Sequence, residues 1–276
     1  MLMQAKMADV VAGGGGPQSL KAIIDGLGYG TSLALVLDAG DAISYPGSGQ
    51  TFTDLSGGAQ NFYLGATSSA AADDPTFNGA AGALSPAEFM SFDGGDDFIE
   101  TSTALNFAEG LHKNNGVGTF IFFCRIGAIN LGEYLFATNS SNTTSGCAFG
   151  ITNWGPPGSL DFRVGNGSAS SFIAESTGLI TAGSDTMLSF AINEATGAGG
   201  LRFQINTAES THTSTYSSPS ASASASPYRI GSRAGANKLS NGTRLYACAA
   251  WNRQLPKAEI DAIYAAFKAG RLPTLP

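Results

Sequence analysis

Residues 92–101 read FDGGDDFIET and gather Asp93, Asp96, Asp97 and Glu100 around two glycines. Carboxylates this dense can ligate a divalent cation or serve as an acid/base pair. Spacing separates these readings. Counting from Asp93, Gly95 and Ala104 fall where an EF-hand loop needs its second oxygen ligand and its bidentate glutamate, so that motif fails. The glycines instead fit a tight turn with positive φ, in which aspartates accept hydrogen bonds from nearby backbone N–H groups. The segment is read as an acidic turn, with calcium at Asp93, Asp96 and Asp97 as the functional alternative.

Other chemistry is sparse. The two histidines, His112 in GLHKNNG and His212 in STHTSTY, lie in polar contexts that suit solvated loops better than a nucleophile-activating site. No GxxxxGK[ST] loop is present. Glycoside hydrolysis needs two carboxyl groups roughly 5–10 Å apart across a cleft. Here Asp161 in LDFRV stands alone on its strand, and Asp185 and Glu194 fall at strand ends. No catalytic residue is assigned, and the chain is read as non-enzymatic. Sugar binding asks less: an aromatic platform flanked by amides and hydroxyls. Asn153 and Trp154 in NWGPP, with Tyr134, are the candidates, although Trp154 can equally fold back as a hydrophobic lid.

Composition narrows the partners. The 276 residues carry a net charge of −7 and no run of Lys or Arg. This excludes nucleic-acid binding by phosphate neutralisation and polybasic attachment to a membrane. The longest dense apolar run, FIFFC at 120–124, is far short of the ~20 residues that span a bilayer. Only 13% of residues are charged, about half the ~25% usual in soluble domains, so the surface must be largely Ser, Thr, Asn, Gly and Ala. Such a surface is expected to be partly covered in a homo-oligomer. Cys124, Cys147 and Cys248 lack metal-ligand spacing and are read as buried thiols, one pair remaining open as a disulfide. The N-terminus has no apolar core of signal-peptide length, which points to synthesis in the cytoplasm without export.

The elements that must position these residues are set by periodicity. Residues 1–31 form an anchor segment: four glycines at 13–16 make a joint, and PQSLKAIIDGLG reads as a short helix with Leu20, Ile23 and Ile24 on one face. A helix this short must dock on the main domain or on a partner. The partner is preferred, so removing residues 1–28 is expected to leave a folded domain. From residue 32 to 276 short strands alternate with turn clusters. LSFAIN and LRFQIN form a hairpin, LDFRV points Leu160, Phe162 and Val164 inward, and RLYACAAW is expected to place Leu245, Ala247, Ala249 and Trp251 on one face. TFIFFCRI is apolar on both faces and predicts a central strand covered on each side. SASASAS at 220–226 reads as a loop or, less readily, a strand in a tight gap. LPKAEIDAIYAAFKAGRLP closes the chain as a helix with Ile260, Ile263, Tyr264 and Phe267 on its apolar stripe.

The order of DLSGGAQNFYLG, FDGGDDFIET, GTFIFFCRI, the hairpin, YRIGSRAG and RLYACAAWNRQLPKAEIDAIY resembles the laminin-G-like, concanavalin A-like lectin/glucanase superfamily, over about residues 33–268. The opening LVLDAGDAISYPGSGQTFTDLSG further resembles laminin-G-like modules of tailed-bacteriophage structural proteins. The resemblance implies an all-β, antiparallel jelly-roll sandwich and, for many members, glycan or protein binding without catalysis. The Glu-x-Asp strand of the family's glucanases is missing here. The resemblance further implies a virion protein, a capsid decoration or fibre, expected to join other virion proteins through residues 1–31 and to meet host-surface glycans.

Overall fold

The computed structural model describes residues 16–101, 106–130, 132–152, 156–234 and 236–276. The strands are β1 (Leu33–Asp38), β2 (Thr51–Phe52), β3 (Phe62–Leu64), β4 (Thr76–Asn78), β5 (Phe89–Phe92), β6 (Ile99–Thr101), β7 (Val117–Arg125), β8 (Glu133–Ala137) and β9 (Gly146–Thr152). They continue with β10 (Ser159–Gly165), β11 (Ser170–Leu179), β12 (Asp185–Asn193), β13 (Leu201–Ile205), β14 (Ala208–His212), β15 (Arg229–Ile230), β16 (Ser232–Arg233), β17 (Ala236–Lys238) and β18 (Thr243–Trp251). Among the described residues three α-helices accompany them: α1 (Leu20–Leu27), α2 (Asn106–Glu109) and α3 (Lys257–Gly270).

The strands build an antiparallel β-sandwich. Sheet A runs β14-β13-β12-β7-β18-β5-β4, with β1 also paired to β18, and sheet B runs β11-β10-β9-β8-β15-β6-β3-β2. Between the sheets, alternate residues of facing strands pack into one core. Phenylalanines cross it: Phe120 of β7 stacks on Phe190 of β12 at 5.1 Å and on Phe136 of β8 at 4.5 Å, and Phe190 stacks on Phe162 of β10 at 4.6 Å. The hairpin is as its alternation requires, with Phe190 opposite Phe203 and Ile192 opposite Leu201. LDFRV likewise turns Leu160, Phe162 and Val164 inward.

β7 lies between β12 and β18 and is apolar on both faces because both are covered. Phe120, Phe122 and Cys124 face the inter-sheet core, while Ile121 and Phe123 face a second core built with the helices. Phe267 of α3 stacks on Phe123 at 3.9 Å. The stripe Ile260, Ile263, Tyr264 and Phe267 is buried there.

The same core corrects the anchor assignment. Leu20, Ile23 and Ile24 are at most 1% exposed, packed within the chain beside α3 and β18. Their apolar face is satisfied internally and is not available to a partner. Ser19 caps the helix, Gly28 ends it at φ 77°, and the backbone N–H of Leu20 donates to Asp38 of β1 at 2.8 Å. Removal of residues 1–28 would uncover this core. The run of glycines at 13–16 lies mostly outside the described residues.

Three smaller features depart from the pattern the sequence suggests. In β18 a bulge between Leu245 and Ala247 changes the alternation. Leu245 faces the inter-sheet core with Cys248 and Ala250, while Tyr246 and Ala247 both face the helices with Ala249 and Trp251. His112 is fully buried rather than solvated, its Nε2 3.0 Å from the Ser222 carbonyl, and burial pulls its pKa below the usual histidine value. His212 is half-buried at the end of edge strand β14. The SASASAS segment is a loop without strand pairing, held where Ser220 N–H donates to the His112 carbonyl. All three cysteines are buried and unpaired. No helix among the described residues is long and apolar enough to cross a membrane.

Candidate functional site

α1 and α3 both pack on the outer face of sheet A, so the polar chemistry collects on the outer face of sheet B. There the registers align one row across seven strands: Tyr63, Glu100, Arg229, Ala137, Ala148, Arg163 and Ile173 are successive cross-strand partners. A second row joins Tyr134, Gly150, Asp161 and Glu175. A Cβ at Gly150 would stand 2.3 Å from the Glu133 carbonyl oxygen, so the gap between Tyr134 and Asp161 is fixed by backbone approach. Small residues thus form a low floor between walls of charge.

One wall is formed by β15, β16 and β17, between residues 229 and 238. Arg229 is ion-paired with Glu100, and its guanidinium lies 4.2 Å over the Phe98 ring. Beside it opens a groove of about 570 Å³ lined by Ala72, Asp73, Asp96, Phe98, Arg229, Ser232 and Lys238. That volume is within the range of small-ligand sites. Lys238 donates to the Gly95 carbonyl at 2.8 Å, which ties the groove to the acidic turn.

The turn itself is built as its sequence suggests. Gly94 has φ 81°, Gly95 N–H donates to Asp93 Oδ1 at 2.7 Å, and Asp93 N–H donates to Asp97 Oδ2 at 2.7 Å. Carboxylate oxygens of Asp93, Asp96 and Asp97 lie within 4.8 Å of one another, close enough for one cation to bridge. Two of these three carboxylates already accept backbone N–H groups, which is the turn-shaping role. Burial, with Asp93, Asp96 and Asp74 nearby, pushes Asp97 up to about 6. The DLSGG segment is equally occupied by structure: Asp54 accepts from the backbone N–H groups of Val36 at 2.9 Å and Ser56 at 2.8 Å.

Next to the groove is a buried polar cluster. Tyr134 is only 5% exposed, so its ring is not an open platform; it packs with Ala137 and Ala148, and Arg233 lies 5.0 Å over it. Arg233 Nη1 donates to the Tyr134 hydroxyl at 2.9 Å and to Asn142 Oδ1 at 2.7 Å, while Nε donates to Asn139 Oδ1 at 3.0 Å. Asp161, opposite Glu175, is ion-paired with Arg163. Burial outweighs that arginine and pushes Asp161 up to about 6. Asn153 and Trp154 lie outside the described residues. The sequence marks the acidic turn, but Tyr134 serves as a buried partner of Arg233 rather than as the exposed platform expected of it, and Arg233, Asn139, Arg163 and the groove carry no mark in the sequence beyond the arginines of RIGSRAG and LDFRV, which do not say what they overhang.

No protein-family model matches the sequence, and no curated protein is significantly similar to it. Solved structures do share its fold. Domain 4 of AbnA, a GH43 extracellular arabinanase from Geobacillus stearothermophilus in complex with arabinotriose, matches with a TM-score of 0.57 and 12% identity, over 84% of this chain and 98% of that one. The binding domain of botulinum neurotoxin DC in complex with SialylT gives 0.59 and 13%, over 86% of this chain and 52% of that one. A sialidase from Trypanosoma rangeli in complex with the inhibitor DANA gives 0.51 and 12%, over 84% and 32%. The chain therefore spans about half of the toxin structure and a third of the sialidase. At such identity the shared property is the two-sheet sandwich.

Proposed function

We propose that the chain is a non-catalytic carbohydrate-binding module that holds glycans on the outer face of sheet B. The observation that carries this reading is the groove beside Arg229 and Lys238, where convergent carboxylate and cationic groups suit the hydroxyls of a polyol. Sandwich neighbours captured with arabinotriose and SialylT support the same class of ligand. Asp161 and Glu175 sit side by side on paired strands rather than across a cleft, and Asp161 is engaged by Arg163, which favours binding over hydrolysis. Hydrogen exchange in the presence of arabinotriose or sialyllactose tests the location. Protection should appear on β6, β8 and the 229–238 segment; protection confined to the helix-covered face of sheet A would refute it.

The finer reading is display on a tailed-bacteriophage particle, with synthesis in the host cytoplasm and contact to other virion proteins and to further copies of the chain. Its support is the ordered sequence resemblance and the glycine-rich residues ahead of α1. Because Leu20, Ile23 and Ile24 serve the chain's own core, attachment is assigned to residues 1–15, outside the described residues. Deleting 1–15 should abolish incorporation into particles while the sandwich stays folded; normal incorporation would defeat the virion reading.

A further inference from the structure

Three arginines are buried among the described residues, and two of them have carboxylate partners: Arg163 with Asp161 and Arg271 with Asp38. Arg233 does not. It is 4% exposed, and its hydrogen-bond partners Tyr134, Asn139 and Asn142 supply only neutral oxygens, with no carboxylate within ion-pair distance among the described residues. Its Nη2 is buried and unpartnered, as is the Nδ2 amide of the fully buried Asn139. A buried cation without a counter-charge is costly, and unpartnered donors add to the cost.

We infer that Arg233 is the anion-binding centre of the glycan site and that its ligand is a carboxylate-bearing sugar, a uronic or sialic acid residue. This rests on the carbohydrate-binding reading of the same face. The terminal edge of the guanidinium consists of Nη1, now donating to the single amide oxygen of Asn142, and the free Nη2. A planar carboxylate that displaces Asn142 Oδ1 engages both nitrogens in a parallel fork, where the amide engages one. Asn142 is the exchangeable partner because it is partly exposed on the loop after β8, whereas Tyr134 and Asn139 are buried and fix the guanidinium from beneath and behind. Asp161 Oδ1 is likewise buried and unpartnered on the same face. Asp161 and Arg163 both act electrostatically on Arg233 and oppose one another, so their pair does not neutralise it.

The test titrates the full chain with methyl glucuronoside, the methyl glycoside of N-acetylneuraminic acid, and methyl glucoside. One or both acidic sugars should bind roughly tenfold or more tightly than the glucoside, and which of them does so identifies the acid. Asn142→Ala removes the competing acceptor from a partly exposed loop and should raise the preference for acid. Asn142→Asp supplies an internal carboxylate to the fork and should bring the ratio of acidic to neutral affinity to about one. Equal affinity for acidic and neutral sugars in the unaltered chain, or a ratio indifferent to both substitutions, overturns the inference while leaving glycan binding intact. Failure of all three sugars, together with an absence of binding on a glycan array, removes both readings.

Discussion

Arg271 Nη1 donates to Asp38 Oδ1 across 3.0 Å in a site where neither side chain is exposed, although the two residues are 233 positions apart. The pair closes the chain on itself. Asp38 Oδ2 also accepts from the Leu20 N–H at the start of α1, and Arg271 Nε donates to the Ser85 carbonyl at 2.9 Å just past the end of α3. Gly40 is needed beneath it, because a Cβ there would lie 1.9 Å from Arg271 Nη2.

Breaking this pair from one side leaves a buried charge. Arg271→Ala should therefore cost about 3–5 kcal/mol in urea unfolding, far more than the loss of an exposed ion pair such as Lys21 with Asp25. A cost below about 1 kcal/mol would show that the site relaxes or admits water.

The placement of α1 gives a second expectation. Ile24→Ala should destabilise the domain by about 2–5 kcal/mol, the range for truncating a buried aliphatic side chain. Deletion of residues 1–28 should yield an aggregating product, while deletion of 1–15 should preserve the melting temperature. A stable, soluble product lacking residues 1–28 would restore the helix to the role of a detachable anchor.

These two sites show where sequence was informative. Period-two alternation located the β12–β13 hairpin and LDFRV because each side chain's face depends only on its own strand. The doubly apolar β7 announced that something covers it but not that α1 does, since a short amphipathic helix fits its own domain or another equally well. The bulge in β18 was invisible because one extra residue in a strand has no compositional mark. Arg233 was invisible for a different reason: its partners Tyr134, Asn139 and Asn142 come from a strand and loop some ninety residues earlier, joined to it only through sheet register.

Two buried groups set opposite pH trends. His112 is held below its ordinary pKa of 6.5 by burial, so as pH falls through that value the unfolded chain takes up protons the folded one refuses, and stability drops. Asp161 is raised from 3.8 to about 6, so the folded chain keeps a proton that the unfolded one releases. Its contribution is present below about 3.8 and is lost as pH rises through 6. His112→Asn should flatten the acid-side loss in unfolding curves recorded from pH 7 to 5. Carboxyl-carbon NMR should find the Asp161 midpoint near 6; a midpoint at the ordinary value would contradict the burial argument.

Carbohydrate binding on the outer face of sheet B is tested most directly by a glycan array probed with three proteins. These are the full chain, Lys238→Ala in the groove, and Lys268→Ala on α3 as the control. Specific binding is predicted for the unaltered chain, equal binding for the α3 variant, and a loss of about tenfold for the groove variant, as expected for one charge-assisted hydrogen bond. Absence of binding across the array, or binding that both variants leave unchanged, would contradict it.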